Sequence, residues 1–315
     1  MKILVTGGAG FIGSHLVDRL VRDNAGQVTV LDNFSRGREQ NLAQSRDRIE
    51  LVRGDIRDRG LLQSVMQGVN LVFHLAAQSN VLGAVKDLDY SFETNVVGTY
   101  EVLRAAEAAG AKRVIFSSSR EVYGEPASLP VSETALVAPK NAYGASKATG
   151  EMYCRLFVNR GMEVVILRLA NVYGTRDRDR VIPLFAEQSF AGKALTVFGR
   201  NKLLDFLWID NLLDVLVKAS ACARPKDAVN IGSGKGINLV DLAKRVAALT
   251  GNSSKVQVIE ERAPEVGRYV ADVGLARELF DLHCPEDAIE HLPAVVQFIR
   301  SEMLAPAATK ESLNR

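Results

Sequence analysis

The chain has 315 residues, of which 47% are apolar and 24% charged, the balance of a soluble globular protein. A formal net charge of +2 gives no electrostatic case for nucleic acid or an anionic membrane as partner, and no apolar run approaches the roughly 20 residues of a membrane span. Three widely separated cysteines argue against a disulfide framework and predict a reducing, cytoplasmic setting, and the start MKILVTGGAG is not typical of a signal peptide.

Apolar runs alternate with helical patterns along the first part of the chain. KILVTG, bounded by glycines, predicts a buried strand, and FIGSHLVDRLVRD predicts a helix because Ile12, Leu16 and Leu20 recur at helical spacing. The next predicted strands are QVTVLD, IELVRGD, NLVFHLAA, KRVIFSSS and MEVVILRLANVYG. The helices between them are RGLLQSVMQG, SFETNVVGTYEVLRAAEAAG and AYGASKATGEMYCRLFVNRG. This alternation predicts an α/β fold of the Rossmann type, with a doubly wound parallel sheet.

The pattern loosens after Gly174. TRDRDRVIPLFAEQSFAG predicts a basic loop and a helix, LTVFG a strand, and DFLWIDNLLDVLVKAS a strand and a helix. AVNIGSGKGINLVDLAKRVAALTG predicts a further strand, loop and helix. We therefore expect a nucleotide-binding domain at 1–175 and a smaller α/β substrate lobe at 176–315, with the chain crossing back to the first domain.

A glycine-rich turn joins the first predicted strand to the first predicted helix. TGGAGFIGS holds Gly8, Gly10 and Gly13 in the order G-x-G-x-x-G, with Gly7 in front. Such glycines let the backbone turn tightly and approach a pyrophosphate, which then faces the helix N-terminus. A turn without a ligand is the alternative, and the strand–turn–helix context disfavours it.

Asp32 ends the second predicted strand, at about the 20-residue distance that is typical of dinucleotide-binding units. A carboxylate there accepts hydrogen bonds from ribose hydroxyls and repels a 2′-phosphate, which favours NAD over NADP. Arg36 and Arg38 follow closely, however, and an arginine near this position can serve NADP. A turn-forming aspartate without a ligand is the other interpretation.

Tyr143 and Lys147 stand in YGASK, four residues apart near the start of a helix, and therefore on one face. The strand before that helix ends in Ser117, Ser118 and Ser119. A phenol of pKa about 10 is a poor base at neutral pH, but a nearby ammonium lowers that pKa. We predict that Tyr143 takes a hydroxyl proton while hydride leaves the same carbon, with Lys147 on the nicotinamide ribose and Ser119 on the substrate oxygen. A packed aromatic beside a surface lysine is the alternative.

Taken in order, the motifs TGGAGFIG, LDN, GDIRD, HLAAQ, ETNVVGT, SSS, YGASK and RLANVYG resemble those of the extended short-chain dehydrogenase/reductases. Within that superfamily the chain is similar to the NAD-dependent nucleotide-sugar epimerase/dehydratase family, whose best-known member is UDP-glucose 4-epimerase. The resemblance covers about residues 1–300. It implies a Rossmann domain, a tightly held NAD, a nucleoside-diphosphate sugar in the cleft beside the C-terminal lobe, and no metal.

The resemblance assigns cofactor contacts to positions along the first domain. Asp55 and Ile56 would flank the adenine, and Asn95 would orient the active-site helix. The implied cofactor positions are Gly7, Gly10, Phe11, Ile12, Gly13, Asp32, Asn33, Arg36, Asp55, Ile56, Leu75, Ala76, Ala77, Asn95, Ser117, Tyr143 and Lys147.

The resemblance also implies substrate contacts and a partner. Asn171 of RLANVYG and Arg262 of ERAPEVGRYVAD would contact the sugar diphosphate, Ser119 the sugar, and Arg176 a phosphate, although a charged loop such as GTRDRDR is usually solvated. A homodimer would form through the helices at 93–109 and 143–160.

One position departs from the family pattern. The family commonly has an arginine before the dipeptide DF, whereas the stretch NKLLDF places Leu204 there. Because a leucine cannot donate to phosphate, the nucleotide pocket is altered, and Lys202 or Arg200 would have to compensate.

The triplet Ser119-Arg120-Glu121 decides which reaction of the family is expected. A 4-epimerase needs only Ser119, Tyr143 and Lys147, whereas 4,6-dehydratases and UDP-glucuronate decarboxylases have a catalytic glutamate in a Ser/Thr-x-Glu triplet. Glu121 therefore favours lyase chemistry. Arg120 disfavours it, because a guanidinium is no general acid near pH 7 and either pairs with Glu121 or meets a substrate carboxylate.

We predict C4 epimerisation through a 4-keto sugar and keep the dehydratase or decarboxylase as the alternative. A non-catalytic NAD-binding regulatory protein is a third hypothesis, which the intact Ser119, Tyr143 and Lys147 set disfavours.

Overall fold

The computed structural model describes residues 1–79, 81–251, 255–260 and 265–304. In these residues the strands are β1 (Lys2–Thr6), β2 (Gln27–Asp32), β3 (Ile49–Arg53), β4 (Leu71–His74), β5 (Arg113–Ser119), β6 (Glu163–Leu169), β7 (Asn171–Tyr173), β8 (Leu195–Phe198), β9 (Leu203–Trp208), β10 (Val229–Ile231), β11 (Gly236–Asn238), β12 (Val256–Ile259) and β13 (Arg268–Tyr269).

The helices are α1 (Phe11–Arg22), α2 (Arg59–Val65), α3 (Val81–Lys86), α4 (Leu88–Phe92), α5 (Gly98–Ala108), α6 (Ala142–Asn159), α7 (Val181–Phe190), α8 (Ile209–Ala219), α9 (Leu239–Thr250), α10 (Gly274–Phe280) and α11 (Leu292–Leu304). Within the described ranges, no helix is both long enough and apolar enough to cross a membrane.

Seven parallel strands form the central sheet in the order β10-β6-β5-β4-β1-β2-β3. The chain builds outward from β1 through β2 and β3, then returns to β4 and builds the other way. The strand order thus reverses between β1 and β4, and ligands of open parallel sheets bind at such a point, beyond the carboxyl ends of the strands. The predicted α/β, doubly wound parallel sheet is confirmed.

Helices cover both faces of the central sheet. Successive strand residues point to opposite faces, so Ile3 and Val5 of β1 belong to one apolar cluster and Leu4, between them, to another. Both faces are buried, which explains why the strands read as continuous apolar runs rather than as alternating ones.

The C-terminal part of the chain has its own layers. Strands β11, β9 and β13 form a small sheet to which β7 adds along β9, and β12 pairs with β8. Helices α7, α9 and α11 pack around a third apolar cluster that includes Phe185, Leu242 and Val296. Strand β10 comes after residue 175 yet pairs with β6 of the central sheet, so the chain returns to the first unit.

Two predicted elements are subdivided in the structure. The strand expected over MEVVILRLANVYG breaks at Ala170, because β6 belongs to the central sheet whereas β7 pairs with β9, with Asn171 opposite Phe206. The helix expected over SFETNVVGTYEVLRAAEAAG contains a π-helical segment at Glu93–Val97, between α4 and α5. Such segments are frequent at functional sites, and Asn95 lies in this one.

Candidate active site

A cleft of about 1160 Å³ opens at the carboxyl ends of the central strands and reaches to the C-terminal sheets. One end is lined by the glycine loop after β1 and by Asp32 at the end of β2. Ser119, Tyr143 and Lys147 line the cleft where β5 meets α6, and Leu204 lines it on the opposite wall. The strand ends thus bring residues from distant parts of the sequence into one cavity.

The glycine loop leaves no room for side chains at two positions. A Cβ on Gly13 would lie 2.2 Å from the carbonyl oxygen of Gly7, and a Cβ on Gly7 would lie 2.7 Å from the backbone nitrogen of Ala76. Gly7 also has φ of +71°, which favours glycine. The loop therefore packs tightly against α1 and the residues that follow β4, and Gly10 lines the cleft. A loop packed in this way lets its backbone approach the pyrophosphate of a dinucleotide.

The Asp32 carboxylate is held by the backbone at the floor of the cleft. Its Oδ2 accepts from the backbone N–H of Ala9 at 2.9 Å, and its Oδ1 accepts from that of Phe34 at 2.8 Å. Burial raises the pKa of Asp32, and these two hydrogen bonds oppose the rise. Each oxygen keeps a second lone pair for a ribose hydroxyl, so the residues fit the adenosine half of NAD.

Most of the implied cofactor positions line this cleft, and two do not. Those that line it are Gly7, Gly10, Phe11, Ile12, Gly13, Asp32, Asn33, Arg36, Ile56, Leu75, Ala76, Ala77, Ser117, Tyr143 and Lys147. Asp55 instead accepts a hydrogen bond from Asn33 at 2.9 Å and pairs with Arg57 at 2.9 Å. Burial opposes the effect of these donors, which hold the pKa of Asp55 at about 2. Asp55 is therefore linked to the cleft through Asn33, which lines it.

Asn95, the second position outside the lining, connects two elements of the site. Its side chain accepts from the backbone N–H of Gln78 at 2.8 Å and donates to the carbonyl of Gln78 at 3.0 Å and to Ser146 Oγ at 2.9 Å. Ser146 precedes Lys147 on α6. Asn95 therefore links α6 to the loop after β4.

Ser119, Tyr143 and Lys147 meet at the end of β5. The Ser119 hydroxyl accepts from the backbone N–H of Glu121 at 3.2 Å, and it acts to lower the pKa of the Tyr143 phenol beside it. Lys147 is 2% exposed, and its Nζ donates to the carbonyl of Ser117 at 2.8 Å and lies 5.9 Å from the centre of the Tyr143 ring. Asn141 caps α6 by accepting from the N–H of Gly144 at 2.8 Å. The predicted set is thus assembled.

Burial is the largest influence on both ionisable groups of this set. It lowers the pKa of Lys147 to about 8, against the favourable field of the Cys154 and Glu151 side chains. It raises the pKa of Tyr143, against the guanidinium of Arg180, the Ser119 hydrogen bond and the guanidinium of Arg120. In the structure the two guanidinium groups oppose the rise in the Tyr143 pKa, and Lys147 Nζ lies near the same ring.

Arg120 and Glu121 form a buried ion pair beside Ser119. Arg120 Nη2 lies 2.9 Å from Glu121 Oε1, and Glu121 Oε2 accepts from Asn141 Nδ2 at 2.7 Å. Arg120 is 8% exposed and Glu121 4%. Both carboxylate oxygens of Glu121 are therefore engaged, one by a guanidinium and the other by the residue that caps α6.

The predicted substrate residues are divided. Asn171 lines the cleft, receives Arg120 Nη2 at 3.5 Å and donates to the carbonyl of Asp205 at 3.0 Å. Arg176 also lines it, although its Nη2 is 2.8 Å from Asp18 Oδ2. Arg262 lies outside the described residues.

The wall around Leu204 holds one cation that is already paired. Leu204 is 4% exposed and lines the cleft. Lys202 lines it too, on the same strand side, but its Nζ is paired with Glu265. Lys202 thus lies near Leu204, which cannot donate a hydrogen bond to phosphate. The positive charge of Lys202 is largely balanced by Glu265.

The comparisons with known proteins agree with this geometry. Residues 3–232 match the family model described as the NAD dependent epimerase/dehydratase family. The chain belongs to that family. It is 35% identical to a UDP-glucose 4-epimerase of Mycolicibacterium smegmatis over 96% of this chain and 99% of the relative. A UDP-glucuronic acid decarboxylase of Arabidopsis thaliana is 29% identical over 97% of this chain and 91% of its own.

A solved structure of this family resembles the whole chain. The dTDP-glucose 4,6-dehydratase DesIV of Streptomyces venezuelae, with NAD bound, has a TM-score of 0.90 at 32% identity and covers 96% of this chain and 97% of its own. The predictions of an extended short-chain dehydrogenase/reductase, of an enzyme and of NAD as cofactor are confirmed. In the described part of the chain no cluster of three or more acidic, His or Cys residues could hold a metal ion.

Arg180 of this epimerase/dehydratase lines the cleft but was not among the site residues predicted from the sequence. It precedes α7, its Nη1 donates to the carbonyl of Val172 at 3.2 Å, and its guanidinium lies 5.7 Å from the ring of Phe11. Its Nε is 3.7 Å from Asp177 Oδ1, and burial raises the pKa of Asp177 to about 6. The signal in the sequence was the charged loop GTRDRDR, a segment of a kind that is usually solvated.

Proposed function

We propose that this enzyme epimerises a nucleoside-diphosphate sugar at C4 through a 4-keto intermediate, as a UDP-glucose 4-epimerase does. The observation that carries the proposal is the Ser119–Tyr143–Lys147 assembly at the sheet edge of an NAD cleft, next to a glutamate whose two oxygens are both engaged. The similarity to the Mycolicibacterium smegmatis epimerase supports it.

Each residue of the assembly has one role in this reaction. Tyr143 takes the proton of the C4 hydroxyl and later returns it. Ser119 donates to the same oxygen and holds it against the phenol. Lys147 is fixed on the Ser117 carbonyl and keeps two further N–H donors for the nicotinamide ribose. Bound NAD supplies the hydride acceptor.

Glu121 is a positioning residue in this proposal. A dehydratase or decarboxylase would need a carboxylate that is free to exchange a proton at C5 or C6. Here Arg120 and Asn141 each take one oxygen of Glu121, and Asn141 in turn caps α6. The glutamate therefore braces the helix that carries Tyr143. The dehydratase and decarboxylase relatives keep lyase chemistry as the second candidate.

A direct test separates these reactions. The purified enzyme is incubated with UDP-glucose, UDP-N-acetylglucosamine, UDP-glucuronate, dTDP-glucose and GDP-mannose, and the products are examined by mass spectrometry and proton NMR. We expect at least one product of unchanged mass with a new anomeric signal. Loss of water or carbon dioxide from the sugars that react would contradict epimerisation.

A single variant tests the role of Glu121. Glu121→Gln keeps one acceptor oxygen for Arg120 and removes the only proton exchange that the side chain could provide. We expect kcat to fall by less than about tenfold for a positioning residue, whereas loss of a general acid or base costs about 100- to 10,000-fold. The measurement is kcat on the preferred substrate, with retained NAD as the check of folding.

Arg180 takes the diphosphate contact that Leu204 cannot make. Its guanidinium lies between the Phe11 ring and Asp177 in the cleft, and it precedes the N-terminus of α7, whose free N–H groups favour an anion. Arg176 contributes from the same loop. Arg180→Gln is expected to raise KM at least tenfold with a smaller effect on retained NAD, and an unchanged KM would contradict the assignment.

The enzyme forms a homodimer through α4 to α6. Leu88 and Phe92 of α4 are 60% and 57% exposed, and Met152 and Leu156 of α6 are 62% and 54% exposed. Met152 and Leu156 lie on the predicted interface helix at 143–160, and Leu88 and Phe92 lie just before the predicted one at 93–109. Burying these four apolar side chains is favourable by about 25 cal/mol per Å². Met152→Glu combined with Leu156→Glu should halve the mass in light scattering. An unchanged dimer mass would contradict this interface.

The cysteines Cys154, Cys222 and Cys284 are all free thiols, which supports a reducing, cytoplasmic location. The division into an NAD-binding domain at 1–175 and a substrate lobe at 176–315 fits a cleft whose two walls come from the two parts.

A further inference from the structure

The Arg120 guanidinium is buried beside the reacting groups with one nitrogen unused. Its Nη2 pairs with Glu121 and lies 3.5 Å from Asn171 Oδ1. Its Nη1 is buried and has no hydrogen-bond partner among the described residues. A guanidinium stays charged at any pH of interest, so an unfilled donor on it is unfavourable until an acceptor arrives.

Glu121 fixes this guanidinium in place. Because Asn141 donates to the other oxygen of the carboxylate, Glu121 cannot rotate away without losing that hydrogen bond as well as its ion pair with Arg120. The planar face of Arg120 is further limited by the Tyr269 ring, whose centre lies 5.7 Å from Cζ. The donor is therefore preorganised, which is what a site for a charged acceptor requires.

The surrounding charges favour an anionic acceptor. Lys147 and Arg120 line the cleft beside Ser119 and Tyr143, and Glu121 is the carboxylate that lines it with them. Arg120 engages Glu121. Lys147 adds a cation that donates only to a carbonyl, so this end of the cleft carries an excess of positive charge.

The chain order narrows the position of that acceptor. Arg120 follows Ser119 directly and also lines the cleft. Because Ser119 and Tyr143 hold the C4 oxygen, we expect the Arg120 guanidinium to bind a substituent next to C4. The neighbours of C4 on a hexose ring are the C3 hydroxyl and the C6 group on C5. Of these only C6 can carry a carboxylate, and a charge-assisted hydrogen bond to a carboxylate is about twice as strong as a neutral one.

We propose that Arg120 Nη1 receives the C6 carboxylate of the substrate, so that the preferred substrates are nucleoside-diphosphate uronic acids. The inference rests on the proposed function for the reaction at C4. It assigns Arg120 as the residue that distinguishes a uronic acid from the corresponding neutral sugar.

The test compares UDP-glucuronate with UDP-glucose, which differ only at C6. For the enzyme as purified with its NAD, we expect kcat/KM for UDP-glucuronate to exceed that for UDP-glucose at least tenfold. Arg120→Lys keeps a charge for Glu121 but loses the second guanidinium nitrogen. It should lower kcat/KM for UDP-glucuronate by about 10- to 150-fold and change that for UDP-glucose less than threefold.

Two controls separate recognition from structure. Arg22→Met, at a side chain that is 71% exposed on α1, should leave both substrates unaffected. Tyr269→Phe removes the other buried polar atom near Arg120 that has no described partner. If Arg120 only braces that tyrosine, Tyr269→Phe will reproduce the Arg120→Lys effect and the proposal is overturned.

The outcomes for the two proposals are distinguishable. Equal losses on both substrates in Arg120→Lys, or a preference of the unaltered enzyme for UDP-glucose, would overturn uronate recognition and leave epimerisation standing. Loss of carbon dioxide from UDP-glucuronate would overturn epimerisation, while a selective Arg120→Lys effect would still support the carboxylate contact. If Arg120→Lys does not fold, competition between the two nucleotide sugars for the unaltered enzyme gives the same comparison.

Discussion

The two halves of the cleft satisfy their polar groups in different ways. On the cofactor half, Asp32 is held by two backbone N–H groups, and Thr6 receives the N–H of Ala76. On the substrate half, Arg120 Nη1 and Gln188 Oε1 are buried with no hydrogen-bond partner among the described residues. The cofactor half is thus held in place at Asp32 without its ligand, whereas the substrate half holds buried groups at Arg120 and Gln188 that a ligand must satisfy.

The largest effect is expected at the boundary between the halves. Tyr143→Phe removes the only proton acceptor at C4 and keeps the ring, so kcat should fall by about 100- to 10,000-fold while the NAD content stays unchanged. Stopped assays and the absorbance of released cofactor measure both quantities. Activity within tenfold of the unaltered enzyme would mean that the two halves do not meet at Tyr143.

The next effect disrupts the cofactor half through its backbone. In Gly13→Ala the new Cβ would lie 2.2 Å from the Gly7 carbonyl oxygen, so the loop must shift and bound NAD should be lost. Gly60→Ala is the matched control, because its nearest neighbour is Asp58 Oδ1 at 3.5 Å, an ordinary contact. NAD content after gel filtration distinguishes the two, and equal retention would refute a tightly packed cradle.

A titration tests how completely the cofactor half is buried. The His74 ring forms hydrogen bonds with the hydroxyls of Thr6 at 2.8 Å and Thr99 at 3.0 Å. Burial, together with the nearby charge of Lys147, lowers the pKa of His74 to about 3. In the unfolded chain the imidazole of His74 takes up a proton near pH 6.5, whereas in the folded chain it stays neutral. The free energy of unfolding therefore falls as the pH drops from 6.5 towards 3. Between pH 7 and 5 the loss is about 2 kcal/mol.

The matching variant is His74→Gln, which cannot titrate. Denaturant unfolding of both proteins at pH 7 and pH 5 should show a pH-dependent loss that is smaller in the variant. The same loss in both would mean that His74 is already protonated in the folded state.

The smallest effect concerns a contact that crosses the cleft at its surface. Arg36 donates to Ser79 Oγ at 3.0 Å and lies 3.4 Å from Asp179 Oδ2, with the two charged side chains 37% and 69% exposed. Exposed pairs contribute about 0–1 kcal/mol, so Arg36→Ala should speed NAD release less than about fivefold. A much larger increase in the rate of NAD release would mean that Arg36 is a principal contact of the cofactor.

The cofactor half was predictable because its signals are local. The spacing of Gly8, Gly10 and Gly13 within one strand–turn–helix, and Asp32 at the end of the next strand, specify backbone geometry directly. The alternation of apolar strands and amphipathic helices specifies the parallel sheet in the same way. Ser119, Tyr143 and Lys147 were predictable because each lies at a fixed place on β5 or α6.

The remaining features depend on contacts between segments far apart in sequence. The break between β6 and β7 follows from pairing with β9, and no local pattern marks it. Arg180 looked like one of several solvated charges until the fold placed it near Tyr143 and Phe11. The engagement of Glu121 by Asn141 likewise joins the end of β5 to the start of α6 across a long loop.

Strand β10 makes the order of synthesis matter. The ribosome releases β1 to β6 well before Val229–Ile231, so during that interval β6 is an edge strand with unpaired backbone groups. Asn230 also closes a buried chain of hydrogen bonds to Tyr123 at 2.7 Å and to the Val131 carbonyl at 2.9 Å. A fragment that stops near residue 175 would keep that edge open permanently and is expected to aggregate, although it contains the entire glycine loop and Tyr143.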